Sequence, residues 1–409
     1  MPLQVLPTES QDAATPVGST LTPIWGLTLP KLRKFFEEKV GERPYRATQV
    51  FQWLYRQRVD SIGAMSNLGK DVKTALEQNF AFDLPNIHTR LISVDGTRKY
   101  LFQVDGGDLV ESVMIKQPNR MTLCVSSQVG CALGCRFCKT GTMGLKRNLG
   151  THEIIGQVMA VIRDAVNFGD MFTNIVFMGM GEPLHNYDNV TDALRILRDP
   201  EGLNMSARKI TISSAGLAPA LERFGKETDV DASLAISLNA TTDEVRSKIM
   251  PINKKYPLEV LLQTLKNYPL GKREQITMEY VMLGGVTDTP EDLKRLPKLL
   301  RGLKAKVNLI PYNFNSGLGF DSPEEGLPQK WQVELNKQGI IATIRWSKGQ
   351  DISAACGQLV TDSKRKPLER KGTVGDSADS VTSEEAGSPA PIKTAVLLSL
   401  QNQMEIPNL

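Results

Sequence analysis

The chain has 409 residues, 41% of them hydrophobic and 23% charged, with a formal net charge of +4. That is enough apolar material for one large core and a smaller domain, and it excludes wholesale disorder. No run approaches 18 apolar residues, and the opening MPLQVLPTESQDAATP lacks a basic segment followed by an apolar one. A membrane span and a secretory signal are therefore unsupported, and a cytoplasmic protein is expected.

Residues 1–20 are rich in Pro, Ser and Thr without apolar periodicity and read as a flexible leader. Next, LPKLRKFFEEKV (29–40), RATQVFQWLYRQRV (46–59) and SNLGKDVKTALEQNF (66–80) repeat apolar residues at helical spacing, with Val50, Phe51, Leu54 and Tyr55 on one face. They predict a small helical module over 21–91. Its other faces carry Lys31, Arg33, Lys34, Arg43, Arg46, Arg56 and Arg58, interleaved with Tyr45, Trp53 and Tyr55. Such a pattern is either a solvated charged face or a surface for a nucleic-acid backbone.

From about residue 92 the pattern changes to strands: TRKYLFQV, DLVESVMIKQ and RMTLCVSSQV are separated by the turns DGGD and QPNR. Six more candidate strands (174–182, 208–216, 232–240, 275–283, 306–313 and 340–347) alternate with amphipathic stretches such as THEIIGQVMAVIRDAV and LEVLLQTLKNY. This alternation predicts an α/β domain over 92–360, its parallel sheet wrapped by helices. In a barrel the active site would lie at the C-terminal strand ends. The cysteine-rich loop and the stretches GMGEP, SSAG, SLNA and PYN all fall at that rim. After Leu359 the chain turns charged, then Ser/Gly/Pro-rich, and 361–409 is expected to be a disordered tail in which TAVLLSLQNQM is a short helix or nothing.

Four of the five cysteines crowd into TLCVSSQVGCALGCRFCKTGT: Cys124, Cys131, Cys135 and Cys138, with Cys356 far downstream. An odd, clustered set argues against a disulfide framework and for metal or thiol chemistry. Cys131, Cys135 and Cys138 form C-x3-C-x2-C among Gly130, Ala132 and Gly134, small residues that let a chain curl round a ligand. No zinc-finger partner follows, and His152 is the only histidine within reach in the sequence. A structural zinc wants four ligands, whereas an iron-sulfur cluster on three cysteines leaves one iron open for a small ligand. Three buried structural cysteines are the remaining reading.

With Phe137 just before its last cysteine, this motif resembles the signature of the radical S-adenosylmethionine (SAM) superfamily. The resemblance implies a partial (β/α)6-type barrel, a [4Fe-4S] cluster on Cys131, Cys135 and Cys138, and SAM held through its amino and carboxylate groups. It further implies Gly181 and Glu182 of MGMGEP at the SAM amino group and Ser213, beside Ser214, near its carboxylate or ribose. Ser237, Leu238 and Asn239 of AISLNA, with Asn313 of IPYN, complete the implied cofactor site.

GCRFCKTGTMG, VFMGMGEPL, AISLNATTDEVRSKIMPINKKYPL, NLIPYN and ISAACGQL together closely resemble the RlmN family of RNA methyltransferases, over about residues 25–360. That resemblance implies methylation of carbon 2 of an adenosine in the peptidyl-transferase centre of 23S rRNA and in certain tRNAs. Carbon 2 is too electron-poor to attack the sulfonium of SAM, so a radical route is needed. By the same resemblance Cys356 takes a methyl group from one SAM, a second SAM yields the radical, Glu111 accepts the carbon 2 proton, and Cys124 resolves the adduct through a transient disulfide. An electron donor such as flavodoxin and a monomeric enzyme are also implied. RNA would be read by the basic module and by Arg and Lys at the rim, with the target base out of its stack. Asn239 stands where the family usually has His, and an amide does not titrate near neutrality. The alternatives are a carbon 8 methyltransferase conferring antibiotic resistance, which shares all five cysteines, and a noncatalytic iron-sulfur RNA-binding protein. GERPYRATQVFQWLY favours the carbon 2 enzyme over the first, and retention of Glu111, Cys124 and Cys356 argues against the second.

Overall fold

The computed structural model describes residues 21–315 and 317–360; the expected leader and tail, with TAVLLSLQNQM, lie outside the described residues. Three helices come first: α1 (Leu29–Phe35), α2 (Pro44–Tyr55) and α3 (Lys70–Asn79). The first two start with proline in the opening turn, where a missing N–H is no loss. α2 buries Ala47, Val50, Phe51, Leu54 and Tyr55, the face its periodicity predicts. The Tyr55 hydroxyl donates to the Trp25 carbonyl at 3.0 Å, so this tyrosine belongs to the core and not to the basic surface. Tyr45 remains exposed, with the Arg46 guanidinium 4.9 Å from its ring centre.

Among the described residues, ten strands form one sheet: β1 (Asn86–Ile92), β2 (Arg98–Gln103), β3 (Leu109–Gln117), β4 (Arg120–Cys124), β5 (Asn174–Phe177), β6 (Ile210–Ser214), β7 (Ser233–Ser237), β8 (Ile276–Met282), β9 (Ala305–Pro311) and β10 (Ala342–Ile344). Spatial order follows chain order from β1 to β10. β1 to β4 pair antiparallel, and β4 to β10 pair parallel. Parallel neighbours need long crossovers. These are supplied by α4 (Thr151–Val166), α5 (Tyr187–Arg198), α6 (Ala218–Lys226), α7 (Asp243–Ile249), α8 (Leu258–Lys266), α9 (Pro290–Leu299) and α10 (Leu327–Lys337). The result is an open α/β barrel with six βα units and a closing strand, extended at one edge by the antiparallel meander.

Several strands are shorter than the sequence pattern, the one expected over 174–182 ending at Phe177, and two boundaries have a clear physical reason. β1 starts at Asn86, ahead of the change expected near 92, because its polar, half-exposed residues hide the strand period. The strand expected over 120–129 ends at Cys124, where the chain leaves the ladder. There the Ser126 hydroxyl donates to the Glu111 carbonyl at 2.6 Å and accepts from the Met180 N–H at 2.8 Å. Residues Gln128–Gly130 then pair with Leu145–Asn148 in a separate hairpin. No helix among the described residues is long and apolar enough to cross a membrane.

Candidate active site

The C-terminal ends of β5 to β9 surround a cavity of about 180 Å³. Cys131, Cys135, Cys138, Gly181, Glu182, Ser213, Ser237, Asn239, Asn313 and Cys356 all line it. Leu238, Cys124 and Glu111 do not. Leu238 points into the core, and its carbonyl accepts from Arg246 Nε at 2.9 Å.

The cysteine loop is shaped by close backbone contacts. Cys131 N–H donates to the Gly144 carbonyl at 2.8 Å, and a Cβ on Gly130, at φ +78°, would lie 1.9 Å from that same oxygen. Only glycine fits there. Among the described residues, the one triad of His, Cys, Asp or Glu with ligand atoms mutually within 4.8 Å is Asp105, His152 and Glu153. The three loop cysteines do not form such a set. Burial, and then the neighbouring acidic groups, push Cys131 up to about 12 and Cys135 well above the ordinary thiol range. Burial likewise raises Cys138. Desolvated thiols of this kind ionise only beside concentrated positive charge, such as a bound metal group supplies.

His152 is not part of this site. Its ring pairs with Asp105 at 2.7 Å, while Arg147 clasps Glu153 through two bonds of 2.8 Å. That triad is an ion-pair network at the start of α4.

After β5 the chain turns sharply at Gly181, φ +101°, where a Cβ would sit 2.5 Å from Gln128 Cβ. Gln128 Oε1 accepts from the Glu182 N–H at 2.8 Å and so fixes the turn. Glu182 accepts from the Ala215 N–H at 2.8 Å and the Leu184 N–H at 3.2 Å. Burial nevertheless raises its carboxyl to about 7, so it is a ready partner for a cation entering the cavity. Asn239 adopts φ +57°, a region asparagine tolerates, and its Oδ1 accepts from the Val281 N–H at 2.9 Å.

Three residues to which the motifs assigned no role complete the site. Arg246 is fully buried and donates to the carbonyls of Ala215 (2.8 Å), Ser237 (3.0 Å) and Leu238 (2.9 Å) and to Asn253 Oδ1 (2.8 Å). It ties the ends of β6 and β7 together. It lies in the stretch ATTDEVRSKIMPINKK, but nothing in a sequence marks an arginine that binds backbone carbonyls. Arg345 and Glu279 line the cavity beside Cys356. Arg345 is held above its ordinary range, first by negative charge on Cys356 and then by Glu279 and Cys124.

The fold brings Cys124, at the end of β4, to the same neighbourhood. Burial and then the charge of Cys356 push Cys124 up to about 12, opposed by Arg345 and by the Met178 N–H. The loop carrying Cys356 is fastened by its own backbone: Asn313 Nδ2 donates to the Cys356 carbonyl at 3.4 Å, and the Lys139 N–H to the Gly357 carbonyl at 2.9 Å. Glu111 is buried nearby on β3. It is paired with Lys99 at 2.9 Å, and its Oε2 accepts from the Val360 N–H at 2.9 Å.

An open parallel barrel with a three-cysteine loop after its first parallel strand, and a Gly-Glu turn after the second, defines a radical SAM protein. The family model of the radical SAM superfamily matches residues 125–297. Membership implies a 4Fe-4S cluster and SAM as cofactors. A second model, the ribosomal RNA large subunit methyltransferase N-terminal domain, matches residues 22–81. The chain is 48% identical over 368 residues to the dual-specificity RNA methyltransferase RlmN of Geobacter sulfurreducens, covering 89% of this chain and 99% of that protein. It is 49% identical over 352 residues to the RlmN of Pelobacter propionicus, covering 85% and 99%. A crystal structure of a radical SAM methyltransferase from Sphaerobacter thermophilus superposes with a TM-score of 0.78 at 41% identity, over 83% of this chain and 99% of that one. The chain belongs to the RlmN family of RNA methyltransferases.

Proposed function

We propose that this protein methylates carbon 2 of an adenosine in 23S rRNA and in certain tRNAs, using two SAM molecules per turnover. The observation that carries the reading is that two cysteines outside the cluster motif share one neighbourhood: Cys356 lines the cavity with Arg345, and the buried Cys124 feels the charge of both. Cys131, Cys135 and Cys138 would hold the cluster, with Gly181, Glu182, Ser213, Ser237, Asn239 and Asn313 around the SAM and Leu238 shaping the strand end beneath it. When bound, the cluster and SAM supply a transferable methyl group and a 5′-deoxyadenosyl radical.

The remaining work belongs to side chains. The Cys356 thiolate accepts the methyl group, and the S-methyl loses a hydrogen atom. The methylene carbon then bonds to carbon 2 of the adenosine, joining protein to RNA. Glu111 accepts the carbon 2 proton. Once the adduct has lost that proton, and one electron that returns to the oxidised iron-sulfur group held by Cys131, Cys135 and Cys138, the Cys124 thiolate attacks the Cys356 sulfur. A sulfur-sulfur bond forms, the sulfur-carbon bond breaks with its electron pair on carbon, and a proton completes the methyl group. Electrons for the cycle come from an external donor such as a flavodoxin.

Anaerobic reaction of Cys124→Ala with ribosomal RNA and tRNA tests this. The variant should keep its cluster, cleave SAM and accumulate protein covalently attached to RNA. Free methylated RNA at the wild-type yield removes Cys124 from the mechanism, and mass spectrometry of the adenosine product distinguishes carbon 2 from carbon 8.

A further inference from the structure

Lys99 and Glu111 lie on neighbouring antiparallel strands. Lys99 pairs in register with Val113, two residues on from Glu111, so the two side chains are diagonal neighbours on one face of the sheet. Both are buried, each with 6% of its side chain exposed, and their charged atoms are 2.9 Å apart. A buried pair of this kind gives little net stability, because desolvation offsets the attraction, yet removing one partner strands the other charge. Here each partner has a second bond to the segment that carries Cys356. Lys99 Nζ donates to the Ser353 carbonyl at 3.4 Å, and Glu111 Oε2 accepts from the Val360 N–H at 2.9 Å. The two anchors bracket Cys356, three residues after the first and four before the second.

We infer that Lys99 is a positioning residue for proton removal: it keeps the Glu111 carboxylate ionised and fixed against the loop that bears Cys356. The inference rests on the reading of Glu111 as the base. In that step the carbon 2 proton passes to a Glu111 oxygen, and the electron pair of the C–H bond stays with the adenine ring. A cation beside a carboxylate makes it a weaker base but guarantees the ionised form in a buried site. That compromise suits this reaction, since the proton on a ring carbon of the radical adduct is acidic and its acceptor mainly has to be charged and in place. Removing the ammonium makes a carboxylate at this depth easier to protonate, and the protonated form cannot accept the proton.

The test uses the cluster-loaded enzyme with SAM and RNA and compares Lys99→Met, Lys99→Gln, Lys99→Arg and Glu111→Gln. For each variant, 5′-deoxyadenosine, covalent protein-RNA adduct and methylated product are measured. Lys99→Met and Lys99→Gln should cleave SAM near the wild-type rate, accumulate adduct and lose product formation by roughly 100-fold, the low end of what a general base contributes. Lys99→Arg should restore most of the product. RNA deuterated at carbon 2 adds a readout that a merely structural role would not move: adduct decay should acquire a primary isotope effect in Lys99→Met that the wild type lacks. Trapping by Glu111→Gln alongside normal turnover in Lys99→Met overturns the role of Lys99 and leaves the base standing. A parallel fall of SAM cleavage and product in Lys99→Met makes Lys99 structural and also overturns it. Failure of Glu111→Gln to trap adduct removes the base and the inference with it.

Discussion

Arg246 offers a direct measure of what holds the cofactor cavity in shape. Replacing it with Met keeps much of its volume but leaves four acceptors without their donor: the buried carbonyls of Ala215 and Leu238, the buried side-chain oxygen of Asn253 and the part-buried carbonyl of Ser237. Each orphaned acceptor costs about 1–3 kcal/mol. Against this, burial pushes the guanidinium down to about 10, a penalty of roughly 3 kcal/mol that the substitution relieves. With the acceptors partly rescued by relaxation, the net loss should be about 3–5 kcal/mol, read as a lower urea midpoint at unchanged slope in the cluster-free protein. Arg246→Lys should recover less than half of it, because one ammonium cannot span a fork of donors to four acceptors. SAM affinity should fall in both variants, since the ends of β6 and β7 lose their common tie. Unfolding of Arg246→Met within about 1 kcal/mol of the wild type, with unchanged SAM binding, refutes the reasoning.

Two further tests address the same cavity. Glu182 is raised by burial to about 7 from an unfolded value of 4.5, so its neutral form is the one the fold prefers. Its contribution is present below pH 4.5 and is lost as pH rises through about 7. Thermal unfolding of the cluster-free Glu182→Gln variant should therefore match the wild type near pH 4 and exceed it above pH 7, while calorimetry shows weaker SAM binding; identical pH profiles would sink this account. Gly181→Ala places a Cβ 2.5 Å from Gln128 at φ +101°. Iron content should stay at the wild-type level while SAM binding is lost, and intact SAM binding in the variant would show that the turn yields.

The cysteine motif and the glycine-bearing strand ends were legible because their chemistry dictates residue type at close spacing; the family resemblance supplied the individual cofactor-site residues and Cys356, and ten of the residues so named line one cavity. The parallel strands were legible for a related reason: they are buried on both faces and read as apolar runs. β1 was not, because an edge strand with polar, half-exposed residues shows no clear period. Arg246 and Gln128 escaped because the bonds that shape the site run to backbone groups, and backbone positions leave no trace in sequence. Lys99 escaped for another reason. A lysine one residue before a strand aromatic looks like any solvated side chain until the sheet register sets it beside Glu111.

The environment of Cys124 carries a statement about the order of events. Its thiol is held up at about 12, first by burial and next by negative charge on Cys356, with Arg345 pulling the other way. A negative charge on Cys356 competes with Cys124 for that guanidinium and so disfavours ionisation of Cys124. In the proposed mechanism Cys356 becomes a thioether, which removes that charge and leaves the field of Arg345 to act on Cys124. Under the proposed mechanism, the step that makes its target thus eases ionisation of the resolving thiol, while burial continues to hold it up, and this ordering works against premature closure of a disulfide. Replacing Cys356 with Ala mimics the loss of charge. The titration of Cys124, followed by NMR with carbon-13 at the cysteine Cβ positions of the cluster-free protein, should move to lower pH in Cys356→Ala, and Arg345→Met should move it to higher pH in that background. A Cys124 midpoint that ignores both substitutions would show that burial alone sets it, and the proposed ordering would have no electrostatic basis.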